Sequence, residues 1–172
     1  SGIARKQAHL VSRDDQERPV YGGTPADFAV AQAIPDMKAR GLRVTFYPFI
    51  LMDVPAGNTL PDPYSDYAAS TGQPAFPWRG RITCSPAAGR TGTVDKTAAA
   101  ADQVDAFFGT ASADAFNVTD DGVHWAGDPN EHGLRRMVLH YAHLCAAVGG
   151  VDSFLIGSEM RGLTTIRAAG NS

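Results

Sequence analysis

Cysteine is scarce in this chain: Cys84 and Cys145 are the only two. One falls in a loop and the other on the apolar stripe of a helix, so no disulfide framework holds the fold. A single bridge stays open, although buried free thiols behaving as small hydrophobes are the commoner state. Charge of one sign is also lacking. The net charge is −3 with acids and bases interspersed, which removes the electrostatic reason to expect direct binding to nucleic acid or to an anionic membrane. No apolar run approaches a membrane span and the first residues lack a signal-peptide core, so neither membrane insertion nor a signal peptide is expected. A phosphate loop is missing as well. Tyr21-Gly22-Gly23-Thr24-Pro25 has neither the P-loop lysine nor the dinucleotide fingerprint and reads as a structural turn before a helix. Without HExxH, the histidines His124, His132, His140 and His143 do not define a zinc site. No metal and no cofactor are expected.

What is present suffices for a core. With 172 residues and 44% hydrophobic content, the chain reads as a single domain spanning 1–172. Leu134, Met137, Val138, Tyr141, Leu144, Cys145 and Val148 recur at three- and four-residue spacing and predict a helix over about 133–148. Gly149-Gly150 follows, then a short apolar strand through Phe154, Leu155 and Ile156 that delivers Glu159 to its tip. The same grammar occurs earlier. Thr24 caps a helix whose first residue is Pro25, with Val30, Ala33, Ile34 and Met37 as its stripe and Pro35 as an expected kink. Gly41 ends it, and the apolar stretch 42–53 reads as a strand finishing on Asp53. Two helix-to-strand units of one design predict an α/β fold with a parallel sheet.

Between these units lies a long insertion, far beyond the usual loop length. Its first part, 54–92, is crowded with proline and glycine and carries Tyr64, Tyr67, Phe76 and Trp78; such a loop is ordered only by packing on something. A third helix should follow, capped by Thr93 or Asp95, with Ala100, Ala101, Val104, Phe107 and Phe108 on one side and Gly109 as its stop. A small hairpin around Asp120-Asp121-Gly122 leads into Val123-His124-Trp125.

Glu159 is the first candidate for chemistry. A carboxyl fixed at a strand tip and partly desolvated can protonate a leaving group near neutral pH. Glycoside cleavage needs a second carboxylate, about 5–5.5 Å away for retention or roughly 6.5–9.5 Å for inversion. Asp53 is the partner this sequence offers. The alternative is a salt bridge from Glu159 to Arg161 or Arg79, or a helix-capping role. Tyr47, Trp78, Trp125 and Phe76 could stack against a sugar ring, with Arg79 and Arg81 meeting acidic substituents; the alternative is that these aromatics are core or loop anchors.

Several longer strings carry more than any short motif. Pro19-Val20-Tyr21-Gly22-Gly23-Thr24-Pro25, the stretch from Gly41-Leu42-Arg43-Val44 to Leu51-Met52-Asp53, Phe76-Pro77-Trp78-Arg79-Gly80-Arg81-Ile82-Thr83-Cys84, and His140-Tyr141-Ala142-His143-Leu144-Cys145 through Ile156-Gly157-Ser158-Glu159-Met160-Arg161-Gly162-Leu163 resemble the TIM-barrel-like, glycoside-hydrolase-type domain of the large tail proteins of gene transfer agents and related phages. The resemblance implies a portion of a (β/α)8 barrel, with a long Pro/Gly-rich βα insertion, inside a multidomain tail or baseplate protein. A whole barrel takes about 250 residues, so the chain would be an incomplete part of one. It also implies a virion component assembled in the cytoplasm, with bacterial cell-surface polysaccharide and other tail or baseplate subunits as partners. Glu159 would be the acid/base at the end of the fourth strand, with Ser158 where those enzymes usually carry asparagine. The nucleophile would come from a seventh strand beyond this chain. Two functions follow as expectations: a glycosidase acting on envelope polysaccharide, or an inert structural or receptor-binding barrel.

Overall fold

A computed structural model describes residues 10–13, 17, 19–21, 25–67, 72–120 and 122–170. The chain forms two compact units, each from two segments: unit 1 is Ser1–Pro48 with Phe107–Ile156, and unit 2 is Phe49–Ala106 with Gly157–Ser172.

Unit 1 carries the two helix-to-strand repeats. Helix α1 spans Asp27–Ala39 and strand β3 spans Thr45–Phe46; helix α3 spans Leu134–Ala147 and strand β6 spans Ser153–Phe154. The strands β3 and β6 pair in parallel, Thr45 opposite Ser153 and Phe46 opposite Phe154. Both helices turn apolar stripes toward this pair. Ile34, Val44 and Cys145 are buried together, with Val30, Met37, Phe46, Val148, Val151 and Phe154 packed around them. A second cluster of Phe116, Val123 and Leu144 takes in Val30, Ala31, Trp125, Leu139 and Tyr141. Val30 belongs to both and so joins them. The hairpin expected around Gly122 is present as β4, Phe116–Thr119, paired antiparallel with β5, Gly122–Trp125. Two further short strands are present, β1, Leu10–Arg13, antiparallel to β2, Pro19–Tyr21.

Side chains lock the ends of these elements. Asp152 accepts the Val44 N–H at 2.8 Å while its own N–H donates to the Val44 carbonyl at 2.9 Å, which holds β3 against the approach to β6. Lys38 Nζ donates to the carbonyls of Gly149 and Gly150, both at 3.1 Å. His140 Nε2 lies 2.8 Å from Asp27 Oδ2, linking α3 to the first turn of α1. Glu131 accepts the N–H of Thr110 at 2.9 Å and that of Gly133 at 2.6 Å, and these hydrogen bonds, the Thr110 one first, hold its carboxyl below the usual range.

Several expectations are corrected. Helix α1 begins at Asp27 with Ala26 as its cap residue and no side-chain cap; Pro25 is outside it, and Thr24 lies outside the described residues. Ala33 is exposed and Ala31 packs in its place. The helix runs on past the exposed Pro35, whose missing N–H leaves one carbonyl of the preceding turn without its helical donor. Both central strands are far shorter than their apolar runs. Pro48 has no N–H to give a ladder, and Leu42, Phe49, Leu51, Leu155 and Ile156 are all exposed. Glu159 is therefore not at a strand tip: β6 ends at Phe154, and Glu159 is assigned to the other unit. The described strands form three two-stranded sheets and, among the described residues, no closed barrel.

Unit 2 is built on the Pro/Gly-rich segment, and local hydrogen bonds order it. Asn58 is the hub: its side-chain amide donates to the carbonyls of Pro55 at 2.9 Å and Gln73 at 2.8 Å, and its Oδ1 accepts the N–H of Gln73 at 2.9 Å. Phe76 N–H donates to the Val54 carbonyl and Ala87 N–H to the Pro63 carbonyl, at 2.9 and 2.8 Å. Helix α2 spans Ala98–Phe108 with Ala100 fully buried, and Gly109 follows at φ 72°. Neither proposed residue caps it through its side chain. Thr93 Oγ accepts the Asp95 N–H at 3.1 Å and donates to the Pro86 carbonyl, while the buried Asp95 carboxylate turns to Arg167. Both cysteines are free and buried, and burial pushes the Cys145 thiol up.

Candidate functional site

In unit 2 the sequence Pro77-Trp78-Arg79-Gly80-Arg81 makes a tight bend. Trp78 is extended (φ −62°, ψ 136°), and a 3-10 turn covers Arg79–Arg81. This bend throws the Trp78 and Arg79 side chains toward one acceptor. Trp78 Nε1 donates to Glu159 Oε2 at 2.8 Å, and Arg79 Nη2 donates to the same oxygen at 2.8 Å. Among the described residues nothing bonds Glu159 Oε1. The carboxylate is therefore asymmetric, with one oxygen fixed by two donors and the other left to accept. The pair is asymmetric in burial too: the Glu159 side chain is 52% exposed and that of Arg79 only 15%.

The surroundings hold these groups in place. Arg79 spreads its guanidinium over the Phe49 ring, 4.6 Å from the centroid, a cation–π contact. Its buried Nε has no hydrogen-bond partner among the described residues, so its orientation comes from Phe49 beneath and Glu159 ahead. Arg81 is tied to Asp62 at 3.0 Å and lies over Tyr64 at 4.5 Å. Helix α4, Arg161–Thr164, starts just after Glu159 and packs on the bend through Gly162. A β-carbon at Gly162 would stand 2.5 Å from the Ile82 carbonyl oxygen and 2.8 Å from that of Gly80, and backbone atoms cannot yield. Glu159 itself sits at φ 56°, a left-handed conformation that non-glycine residues adopt at a cost of about 1–3 kcal/mol.

The other sequence candidates are placed as follows. Asp53 is exposed in unit 2. Tyr47 is half-buried in unit 1. Trp125 is committed within unit 1: its Nε1 donates to the Asp128 carbonyl at 2.8 Å, its ring meets Phe116 at 4.9 Å, and Arg136 lies over it at 4.9 Å. That is the packing of a hairpin anchor. Arg79 and Arg81 each hold an internal carboxylate, Glu159 and Asp62. His140 and His143 bond Asp27 and the Ala113 carbonyl, and among the described residues no group of three metal-ligating side chains occurs. No helix of the described residues is long and apolar enough to cross a membrane. Sequence reasoning missed Phe49, Gly80 and Gly162. The only hint was a glycine set between two arginines, which marks close approach as readily as a turn.

Residues 132–172 match the family model described as the GTA TIM-barrel-like domain. The matched stretch covers α3, β6, Glu159 and α4, a minor part of the chain, and relates that segment to gene transfer agent proteins. Trp78, Arg79 and Phe49 lie outside it. No curated protein matches the sequence.

Proposed function

We propose that this chain belongs to a tail or baseplate protein of a phage-like particle of the gene-transfer-agent type, and that its Trp78–Arg79–Glu159 surface engages bacterial envelope polysaccharide during attachment and DNA delivery. The observation that carries the reading is the convergence of Trp78 Nε1 and Arg79 Nη2 on one oxygen of Glu159, each at 2.8 Å. A sugar offers an apolar ring face and a belt of hydroxyls. The half-exposed indole of Trp78 suits the first, and Glu159 Oε1 accepts from the second. The match of residues 132–172 supports the particle role. Other tail subunits are the remaining partners of this reading.

Cleavage is the second reading, and the strained backbone at Glu159 favours it, because such outliers cluster at working sites. Glu159 would act as acid/base toward the glycosidic oxygen, and a second carboxylate would complete the pair. Purified protein should retain envelope polysaccharide in a sedimentation assay. Trp78→Ala should weaken retention about tenfold, equivalent to about 1.4 kcal/mol. Equal retention by the variant would sink the binding reading. Release of reducing ends by the wild type, lost in Glu159→Gln with binding kept, would establish the hydrolytic one; no release by the wild type leaves the inert, receptor-binding form.

A further inference from the structure

Gly80 occupies the space that the Trp78 side chain needs. A β-carbon there would stand 2.5 Å from Trp78 Cε3 and nearer still to Cζ3 and Cη2. The six-membered ring of the indole thus lies directly on the Gly80 α-carbon, and Gly80 is buried beneath it. The position needs glycine for lack of volume, since it is not among the glycines with positive φ. Seated this way, the indole presents its N–H to Glu159 Oε2 at 2.8 Å.

We propose that Gly80 is a positioning residue: by giving the Trp78 ring a flat seat it sets where the indole N–H lies, and through that hydrogen bond it turns the Glu159 carboxylate so that Oε1 faces ligand. The functional part of this inference rests on the polysaccharide reading above; the positioning part does not. Gly162 supports the same geometry from the other side, because only a residue without a side chain lets the segment after Glu159 reach the carbonyls of Gly80 and Ile82. The site is therefore held by two glycines, one under the donor and one behind the acceptor. Any side chain at residue 80 lifts the ring, lengthens the N–H to carboxylate distance and leaves Arg79 as the sole donor to Glu159.

The chain has two tryptophans, so two indole N–H resonances report on it in a nitrogen–proton correlation spectrum. Trp78 donates to a carboxylate and Trp125 to the Asp128 carbonyl within unit 1, which makes Trp125 the control for folding of unit 1; the main-chain N–H of Arg167, held by Asp95 within unit 2, is the control for folding of unit 2. Gly80→Ala should move the Trp78 resonance toward the position of a solvent-bonded indole, leave the Trp125 resonance in place and weaken retention of envelope polysaccharide. Glu159→Gln, which leaves Gly80 untouched, should move the same Trp78 resonance. An unmoved Trp78 resonance in either variant overturns the proposal. Loss of both indole resonances in Gly80→Ala, or a shift of the Arg167 main-chain N–H resonance, overturns it too, since Gly80 would then serve folding and not position. If the Trp78 resonance moves as expected but wild-type protein retains no polysaccharide, the positioning role stands and the carbohydrate reading falls.

Discussion

The Asp95 carboxylate accepts the main-chain N–H of Arg167 at 2.7 Å and the Arg167 guanidinium as well, while the Lys96 N–H donates back to the Arg167 carbonyl at 2.8 Å. One buried acid thus fastens the segment that follows Glu159 to the turn before α2. The hydrogen bond from the Arg167 side chain is the chief reason the Asp95 carboxyl lies below its usual range. A depressed carboxyl stabilises the fold above its unfolded pKa of about 3.9, and that contribution is lost as pH falls through the folded value. Asp95→Asn should therefore lower the melting temperature at neutral pH, and the gap to wild type should close as pH falls below about 4. A gap of constant size across that range would show that the charge on Asp95 is not what holds the segment.

Burial decides which partner of the Arg79–Glu159 pair is the costlier to lose. Removing Glu159 strands a guanidinium that is only 15% exposed and already lacks a partner at Nε, whereas removing Arg79 leaves a half-exposed carboxylate that water can solvate. Glu159→Ala should cost more stability than Arg79→Met, with the latter on the order of 1 kcal/mol. Urea unfolding of both variants checks this, and the reverse order would contradict the assigned burial.

Ile34 is 1% exposed at the centre of the cluster joining α1 to α3 and β3. Ile34→Ala should destabilise unit 1 by about 2–5 kcal/mol, the range for a large aliphatic truncated in a core. Calorimetry should detect the shift, and a loss below about 1 kcal/mol would mean that the surrounding side chains collapse into the gap.

Cys145 offers a probe of the same core. The residue is 3% exposed and burial pushes its thiol pKa up, so both access and thiolate fraction oppose alkylation. Under native conditions at pH 8 its labelling by iodoacetamide should proceed only at the rate of unfolding. Rapid labelling of Cys145 in the folded chain would refute its burial on the face of α3 that packs against Ile34 of α1.

The helices were legible because an amphipathic stripe repeats: Leu134, Leu144 and Cys145 are buried as their spacing predicts, and Ile34 likewise. The hairpin was legible through Gly122, which takes the φ of 126° that other residues avoid. Strand lengths were not. Leu155 and Ile156 carry the same apolar signature as a buried strand, yet the ladder stops where β3 runs into Pro48, and a pairing partner is a tertiary fact. The pairing of Glu159 with Arg79 was one of the alternatives that the residue types allowed. Of what made it specific, the close approach at Gly162 depends on residues about eighty positions apart, and the seat at Gly80, though only two residues from Trp78, shows in the sequence as no more than a glycine between two arginines.

The parallel pairing of Thr45 with Ser153 also sets an order of events during synthesis. Val44 and Asp152, whose hydrogen bond closes this pair, are 108 positions apart. At ribosomal speeds, roughly 5–20 s pass between the appearance of one and the other. For that interval β3 has no mate, and its apolar flank, Phe46 with the stripe of α1, must wait in the open or be sheltered by a chaperone. Nascent chains stalled before residue 134 should accordingly be more prone to clump than chains released after residue 160.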